Sequence, residues 1–518
     1  MRSLYALILL SSIVLWSSCR NDFETVASTG NLEFSKDTVY LDTVFTNIGS
    51  STYNLKVYNR SNDDINIPSI SLGQNESSLY RLNVDGVPGK TFNDITIRAK
   101  DSIFVFVETT LDIEGLVQSG DQFLYTDQIA FDTGGNQQNV ELVTLVQDAV
   151  FLFPARAADG TIETLNLGTD PDGEPILIEG FFLEDDQLNF NNEKPYVIYG
   201  YAAVGVGKTM TVDPGARLHF HKDSGILVAN TGSLQVNGAP SSDPIALENE
   251  VIFEGDRLEP GFSDVPGQWG AIWLTQGSTG HVFTNTTIKN ATVGILMDSN
   301  DGGTDPTLTL RNTQIYNSSN VGLLARTGYV DGENVVINNA GQTALSCSLG
   351  GRYDFRHCTF VNYWTDGFRG FPAVQIDNAL QVSEDQFIVS DLIQANFTNC
   401  IISGNENIEL GLFDEGSVAF NVNFSNSLIQ FNDVQGVFEG NALYDFGNVA
   451  FYNNIVLNED ADFLDPATNQ LNIGADSGAN GLDPSGSPIV PFDILGTART
   501  SPFDAGAYES VVFPPDED

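Results

Sequence analysis

The run GGRYDFRHCTFVNYWTDGFRG, residues 350–370, gathers Arg352, Arg356 and Arg369 with several aromatic rings in a chain otherwise poor in basic residues. Aromatic faces cover the apolar C–H side of a pyranose, and a few polar groups fix its hydroxyls. Arg352, Tyr353, His357, Tyr363, Trp364, Asp366 and Arg369 are therefore the candidates for holding a glycan. The competing reading is structural, with Tyr and Trp covering surface beneath a loop. Hydrolysis of a glycan would need two facing carboxylates about 5 to 9.5 Å apart, and Asp366 and Asp377 are the pair that sequence proximity offers.

Two further groups could hold a metal. In DSNDGGTDP, Asp298, Asp301 and Asp305 sit in a Gly-rich loop and offer oxygen ligands to a structural calcium ion. LHFHK places His219 and His221 two apart, on one face of a strand, with no third ligand in view. An outward polar face is the preferred reading of that pair. The acidic turn GTDPDGEP lacks the full spacing of a calcium loop and reads as solvated.

The bulk composition narrows the partners. With 22 basic and 68 acidic residues among 518, the net charge of −46 repels nucleic acid and anionic membrane surfaces. Charged residues make up only 17% of the chain, and Gly, Asn, Ser, Thr and β-branched residues are abundant. Strands and turns are favoured over helices.

Six segments align downstream: FTNTTIKN, LRNTQIYN, GENVVINN, FRHCTFVN, FTNCIISGN and FSNSLIQFN. They recur 22 to 27 residues apart, with one interval of 42 that carries an insertion after Gly370. Their third residues are Asn285, Asn312, Asn334, His357, Asn399 and Asn426. The fourth and sixth positions, Thr286 with Ile288 through Ser427 with Ile429, are small or apolar and must share the inward face of a strand. On that pattern Cys358 is core and not a nucleophile. A second Asn column runs through Asn290, Asn317, Asn339 and Asn362 and slips to Asn405 and Asn432; a column of small residues runs through Gly294, Gly322, Ala344 and Gly367. Repeats of this length with two Asn corners describe a parallel β-helix, because Asn tolerates left-handed backbone angles and its amide can bond to the next coil.

Upstream, residues 20–150 alternate apolar and polar in strand-length runs, as an antiparallel sandwich does. Residues 151–195 form an irregular linker and cap, 196–455 the β-helix, and 456–518 a closing segment and tail that would cover an exposed end of the stack. The fold class is therefore all-β.

At the start, MRSLYALILLSSIVLWSSC resembles the signal peptide and lipobox of a bacterial lipoprotein, residues 1–19, with Cys19 the lipidated residue. Acyl chains there would anchor the protein to a membrane without spanning it. The remaining thiols, Cys347, Cys358 and Cys400, read as small buried hydrophobes.

Taken with SKDTVYLDTVFTNIGS, GQWGAIWL and the closing DAGAYE, the chain resembles a group of Gram-negative envelope lipoproteins with a right-handed parallel β-helix of pectin-lyase-like shape. The sandwich resembles the immunoglobulin-like modules that precede larger domains in envelope proteins. The resemblance implies display at the outer-membrane surface and partners among polysaccharides or surface proteins. Three functions stay open: glycan or partner binding on the flank of the helix, a polysaccharide lyase or glycoside hydrolase, and an inert scaffold or adhesin. The sequence holds no Gly-His-Gly, and its one Arg-x-Lys lies at 98–100, outside the helix, so the polygalacturonase-like pattern is missing.

Overall fold

A computed structural model describes residues 25–112, 122–170, 172–243, 246–298, 303–383 and 386–514. It divides into two compact units, 1–148 and 149–518. Cys19 and Asp301 lie outside the described residues. Among the described residues, no helix is long and apolar enough to cross a membrane.

The first unit is built of two sheets, one of six strands and one of five. Alternation explains the core: Ser102–Thr109 sends Ile103, Val105 and Val107 inward, into one cluster with Leu55 and Val57 of the adjacent strand and Ile67 and Leu142 of the other sheet. The strand pattern suggests purely antiparallel pairing, and the structure departs from it twice. Thr38–Phe45 lies parallel to Gln138–Gln147, and Val26–Ala27 parallel to Ile65–Leu72. Periodicity fixes which face is inside but is blind to strand direction.

In the second unit the chain alternates between an eighteen-stranded and a ten-stranded sheet in which successive coils pair in parallel. His281–Lys289 pairs with Leu308–Ser318, which pairs with Tyr329–Ala340; Ala291–Met297, Val321–Arg326 and Thr343–Ser348 pair in the same order on the other sheet. One continuous apolar core runs inside the coils from Leu152 to Tyr452. Within it Phe355, Phe397, Phe424 and Tyr452 stack coil upon coil with centroids 5.3, 5.0 and 5.5 Å apart. The inward positions, among them Thr286, Thr313, Val335, Cys358, Cys400 and Ser427, are all fully buried.

The first corner follows the sequence pattern in every coil. Asn285, Asn312, Asn334, His357, Asn399 and Asn426 all have left-handed φ, between 43° and 56°. Their side chains form a ladder: Asn312 Nδ2 donates to Asn285 Oδ1 at 3.1 Å, Asn334 to Asn312 at 2.9 Å, and Asn426 to Asn399 at 3.1 Å. The second corner holds for Asn290, Asn317 and Asn339, with φ of 67°, 55° and 56°. Asn362 departs from it. It ends the strand Thr359–Asn362 and bonds both backbone groups of Ala340 through its amide, at 2.9 and 2.8 Å.

Two other expectations are corrected. Gly367 is not in the small-residue column but exposed in a loop, and Ala373, whose carbonyl accepts from Leu345 N–H at 2.9 Å, stands beside Ala344 instead. The insertion is thus two pieces, a loop over 363–373 and a hairpin of Ala379–Ser383 with Gln386–Val389, flanking the strand Val374–Asp377. The closing segment runs along the flank of the coils. Pro466 accepts from Asn338, Arg499 donates to Asn334, and Ala507 N–H donates to Thr359, at 2.9, 2.9 and 3.0 Å. Leu471, Ile473, Ala505 and Ala507 pack there on Val336, Val361, Ile401 and Leu428, which are outward side chains of the coils.

Candidate functional site

The structure disperses the aromatic-basic cluster. Tyr353 is fully buried, its hydroxyl donating to Gly350 and Ala325 carbonyls at 2.9 and 3.2 Å. His357 is a buried rung of the Asn ladder, with Nε2 2.9 Å from Asn399 Nδ2. Burial, helped by the Arg499 charge, pushes its pKa down to about 3, so the ring is neutral. Arg369 is 2% exposed and turns inward to Glu409, with 2.6 and 2.9 Å contacts to the two carboxylate oxygens. None of these three can meet a glycan, because none has a surface to offer. Alternation along Gly351–Arg356 and the buried carboxylate of Glu409 decide those orientations.

The other four stay nearer solvent but are not all together. Arg352 lies over the Tyr329 ring, 5.3 Å from its centroid. Tyr363 is half-buried, edge-on to Phe463 of the closing segment and 3.3 Å from Ser403 Oγ. Trp364 and Asp366 face one recess of about 510 Å³, opposite the loop Pro260–Pro266. The Trp364 carbonyl is held by Asn405 Nδ2 at 2.7 Å, so the buried Arg369–Glu409 pair and this bond together fix the loop that carries the indole.

Two members of the calcium set, Asp298 and Asp305, fall within the described residues. Asp298 spends both carboxylate oxygens on protein donors, Arg326 at 2.9 Å and Trp273 Nε1 at 2.6 Å, while Asp305 is exposed. Among the described residues, no group of three or more His, Cys, Asp or Glu is placed to hold a metal. His219 and His221 also part company: His219 is buried beside Glu254, and His221 bonds Asp256 at 2.7 Å. Asp377 is buried, accepts from Ser348 Oγ and Leu349 N–H at 3.1 and 2.8 Å, and does not face the recess with Asp366. Burial raises its pKa.

A larger cleft of about 930 Å³ opens on the same flank and shares Asp264 with the recess. Its floor is made by outward side chains of two coils, Thr287 and Lys289 from one, Arg311 and Gln314 from the next. The hydroxyls and amides form a chain. Thr287 Oγ donates to Glu250 at 3.2 Å, Gln314 Nε2 donates to Thr287 at 3.3 Å, and Gln314 Oε1 accepts from Tyr316 and Tyr508 at 2.5 and 3.4 Å. Burial pushes Tyr508 up to about 12, so it remains a donor. Burial likewise raises Glu250 above the ordinary carboxylate range.

One wall of this cleft is apolar: Phe492 and Leu495 of the closing segment line it and are 53% and 65% exposed. The cations on the floor are already neutralised, Lys289 by Glu254 at 2.9 Å and Arg311 by Asp331 and Glu333. Asp264, on the loop between cleft and recess, accepts from Asn317 at 3.3 Å and from Ser263 at 2.7 Å. An apolar wall over a floor of hydroxyls, amides and paired charges can hold an extended polyhydroxylated chain without requiring it to be charged.

Sequence reasoning missed Glu250, Asp264, Gln314 and Phe492. A signal for part of this was present. The fifth residue of each repeat points outward, and it changes from Thr287 and Gln314 to Val336, Ile401 and Leu428, with Thr359 the polar exception in the covered stretch, where it accepts from Ala507 N–H.

No family model and no curated protein matches this chain. Among solved structures, the catalytic unit of the GH87 α-1,3-glucanase from Streptomyces thermodiastaticus aligns over 72% of this chain and 74% of its own, with 13% identity and a TM-score of 0.25. A family 123 glycoside hydrolase from Clostridium perfringens aligns over 24% of this chain at 6% identity and a TM-score of 0.17. The aligned part spans 31% of that enzyme's chain. A PapD-like domain of human CEP192 aligns over 26% of this chain and 94% of its own, at 13% identity and a TM-score of 0.15. Likenesses of this size say nothing about what the present chain does.

Proposed function

We propose that the coiled unit binds a neutral glycan chain along its open flank, from the Phe492 wall across Gln314 and Thr287 to Asp264 and the Trp364 recess. The observation that supports it is the cleft itself, where an apolar wall faces a hydrogen-bonding floor whose cations are already paired. A net charge of −46 argues against a polyanionic ligand. In this reading the protein is a Gram-negative envelope lipoprotein, anchored through Cys19 and displayed at the outer-membrane surface. Its immunoglobulin-like first unit is a spacer, and the coils form a right-handed, pectin-lyase-like helix.

The test is a glycan array followed by calorimetric titration of each hit with the intact protein and with Gln314→Ala and Phe492→Ala. Unchanged affinity in both variants would sink the cleft as the site. Labelling with a radioactive fatty acid should mark the wild type and not Cys19→Ala.

Glu250 favours a second reading. A carboxyl with a raised pKa at the end of a glycan cleft can serve as a general acid. Release of new reducing ends from a bound polysaccharide, lost in Glu250→Gln, would establish hydrolysis over binding alone.

A further inference from the structure

Two of the three thiols in the coils stand against one another. Cys358 and Cys400 hold the same inward position on the coils before and after the insertion, each directly after a left-handed corner residue, His357 or Asn399. Two backbone bonds bracket them: His357 N–H donates to Thr398 O at 3.0 Å, and Ile401 N–H donates to Cys358 O at 2.9 Å. The ladder then continues in register, with Thr359 opposite Ile401 and Phe360 opposite Ile402. Residues aligned on neighbouring strands have Cα atoms about 4.8 Å apart, inside the roughly 4.4 to 6.8 Å that a disulfide spans. Both side chains are fully buried, on one face, and within hydrogen-bonding reach of each other. Both are free thiols in this structure.

The position suits a small donor. In other coils it holds Thr313 and Ser427, whose hydroxyls donate to backbone carbonyls, Thr313 Oγ1 to Phe283 O at 3.3 Å and Ser427 Oγ to Ser425 O at 2.8 Å. The thiols make the equivalent contacts: Cys358 Sγ lies 3.3 Å from Arg356 O and 3.8 Å from Gly332 O, Cys400 Sγ 3.4 Å from Thr398 O and 3.7 Å from Phe355 O. An S–H group is a weak donor, so these contacts do little to hold the two sulfurs as separate thiols. Cys347 has different neighbours. It is aligned with Ala325 and Ile376 on the other sheet.

We infer that Cys358 and Cys400 are a disulfide site, joined when the chain folds in the presence of an external disulfide, and that the bond staples the coil before the insertion to the coil after it. The link would close the stretch that holds the loop over 363–373 and the hairpin, and so tie together the two ends of that departure from the repeat. The chemistry is thiol–disulfide exchange: one sulfur forms a mixed disulfide with the oxidant, the second displaces it, and the external disulfide leaves as two thiols that carry the two protons. Supply of such an oxidant in the cell rests on the envelope reading proposed above. Neither sulfur reaches solvent in the finished coils, and burial pushes the Cys400 thiol well above its ordinary range. Exchange therefore belongs to the folding chain, and the finished bond is closed to reductant.

The experiment maps alkylation at each cysteine by peptide mass, so that the state of Cys19 does not enter the count. Intact protein is taken from cells directly into denaturant with iodoacetamide and no reductant; a second sample is reduced, unfolded in guanidinium and refolded with oxidised and reduced glutathione before the same treatment. The expected result is that Cys347 is alkylated in both samples, that alkylation of Cys358 and Cys400 falls about tenfold, and that their two peptides are recovered as one linked species. Dithiothreitol should release the link from the unfolded chain and not from the folded protein. Cys358→Ser, which puts the residue type of Ser427 at this position, should fold and leave Cys400 fully alkylated. A link after refolding that is absent from the cell sample would uphold the inference and remove the envelope reading; where the chain does not refold, the cell sample decides by itself. Three results overturn the inference: full alkylation of Cys358 and Cys400 in both samples, a link from Cys347 to either of them, or release by dithiothreitol from folded protein as fast as from the unfolded chain.

Discussion

The flank of the coils has a sealed region and an open one, built from the same repeat. Where the closing segment lies on it, the outward residues are Val336, Val361, Ile401 and Leu428, packed under Leu471, Ile473 and Ala507. Where the flank is open, the same positions hold Thr287, Lys289 and Gln314, which line the cleft. The inward positions are buried in both, and the first corner is left-handed in both, with His357 taking the place of Asn in the sealed part. One repeat can therefore be covered or open on its flank, and the outward side chains differ accordingly.

Four measurements put that contrast at risk, and the first carries the most free energy. Ile401→Asp places an unpaired charge beneath the closing segment and should cost about 4 kcal/mol in denaturant unfolding, whereas Leu495→Asp, at a cleft-lining position 65% exposed, should stay within about 0.5 kcal/mol. Similar costs for the two would mean that the segment is not docked as described.

The two corner types also answer differently to acid. His357, buried in the sealed part of the ladder, has a folded pKa of about 3, below its unfolded value of about 6.5. The unfolded chain therefore takes up this proton first, and stability falls as pH drops below about 6.5. His357→Asn, which restores the residue type of the other coils, should recover about 3 kcal/mol of the loss between about pH 7 and about pH 4. Parallel stability curves for wild type and variant would show that the ring is not buried neutral.

On the open flank, Phe492→Ala should weaken binding of a glycan identified on the array about tenfold, or about 1.4 kcal/mol, with no change in the unfolding midpoint because the ring is 53% exposed; Gln314→Ala should weaken binding as much but also lower the midpoint, since it leaves buried Tyr316 and Tyr508 without their acceptor. The weakest effect belongs to His221, whose hydrogen bond to Asp256 raises its pKa. Its contribution is complete below about pH 6.5 and is lost as pH rises through the folded value. Because the side chain is 48% exposed, solvent screening keeps the contribution under about 1 kcal/mol. His221→Gln should accordingly flatten the stability profile slightly above about pH 6.5, read from urea midpoints.

Much of the coil was legible because its rules are local. Alternation within a strand put Cys358 and Cys400 in the core, and the preference of Asn for left-handed angles marked the corner at His357 through its neighbours in the column. The candidate site was far less legible. Clustering in sequence suggested one surface for Tyr353, His357, Trp364 and Arg369, yet only Trp364 of these lines the recess, because a strand turns adjacent residues to opposite faces and Glu409, forty residues beyond Arg369, draws the guanidinium inward. The second corner failed at Asn362 for a comparable reason: its amide serves the backbone of the coil before it.

The all-β character, the coil period, the inward columns and the first corner follow from the amino-acid sequence alone, since each depends on residues within one strand or on the same position one coil away. Where the closing segment lies, which outward residues it covers, and that Phe492 returns to face Gln314 were settled by tertiary packing. Those contacts join residues far apart in the chain, 128 positions between Asn338 and Pro466 and 165 between Asn334 and Arg499, and their outcome rests on the competition among apolar faces for burial, which no local pattern records.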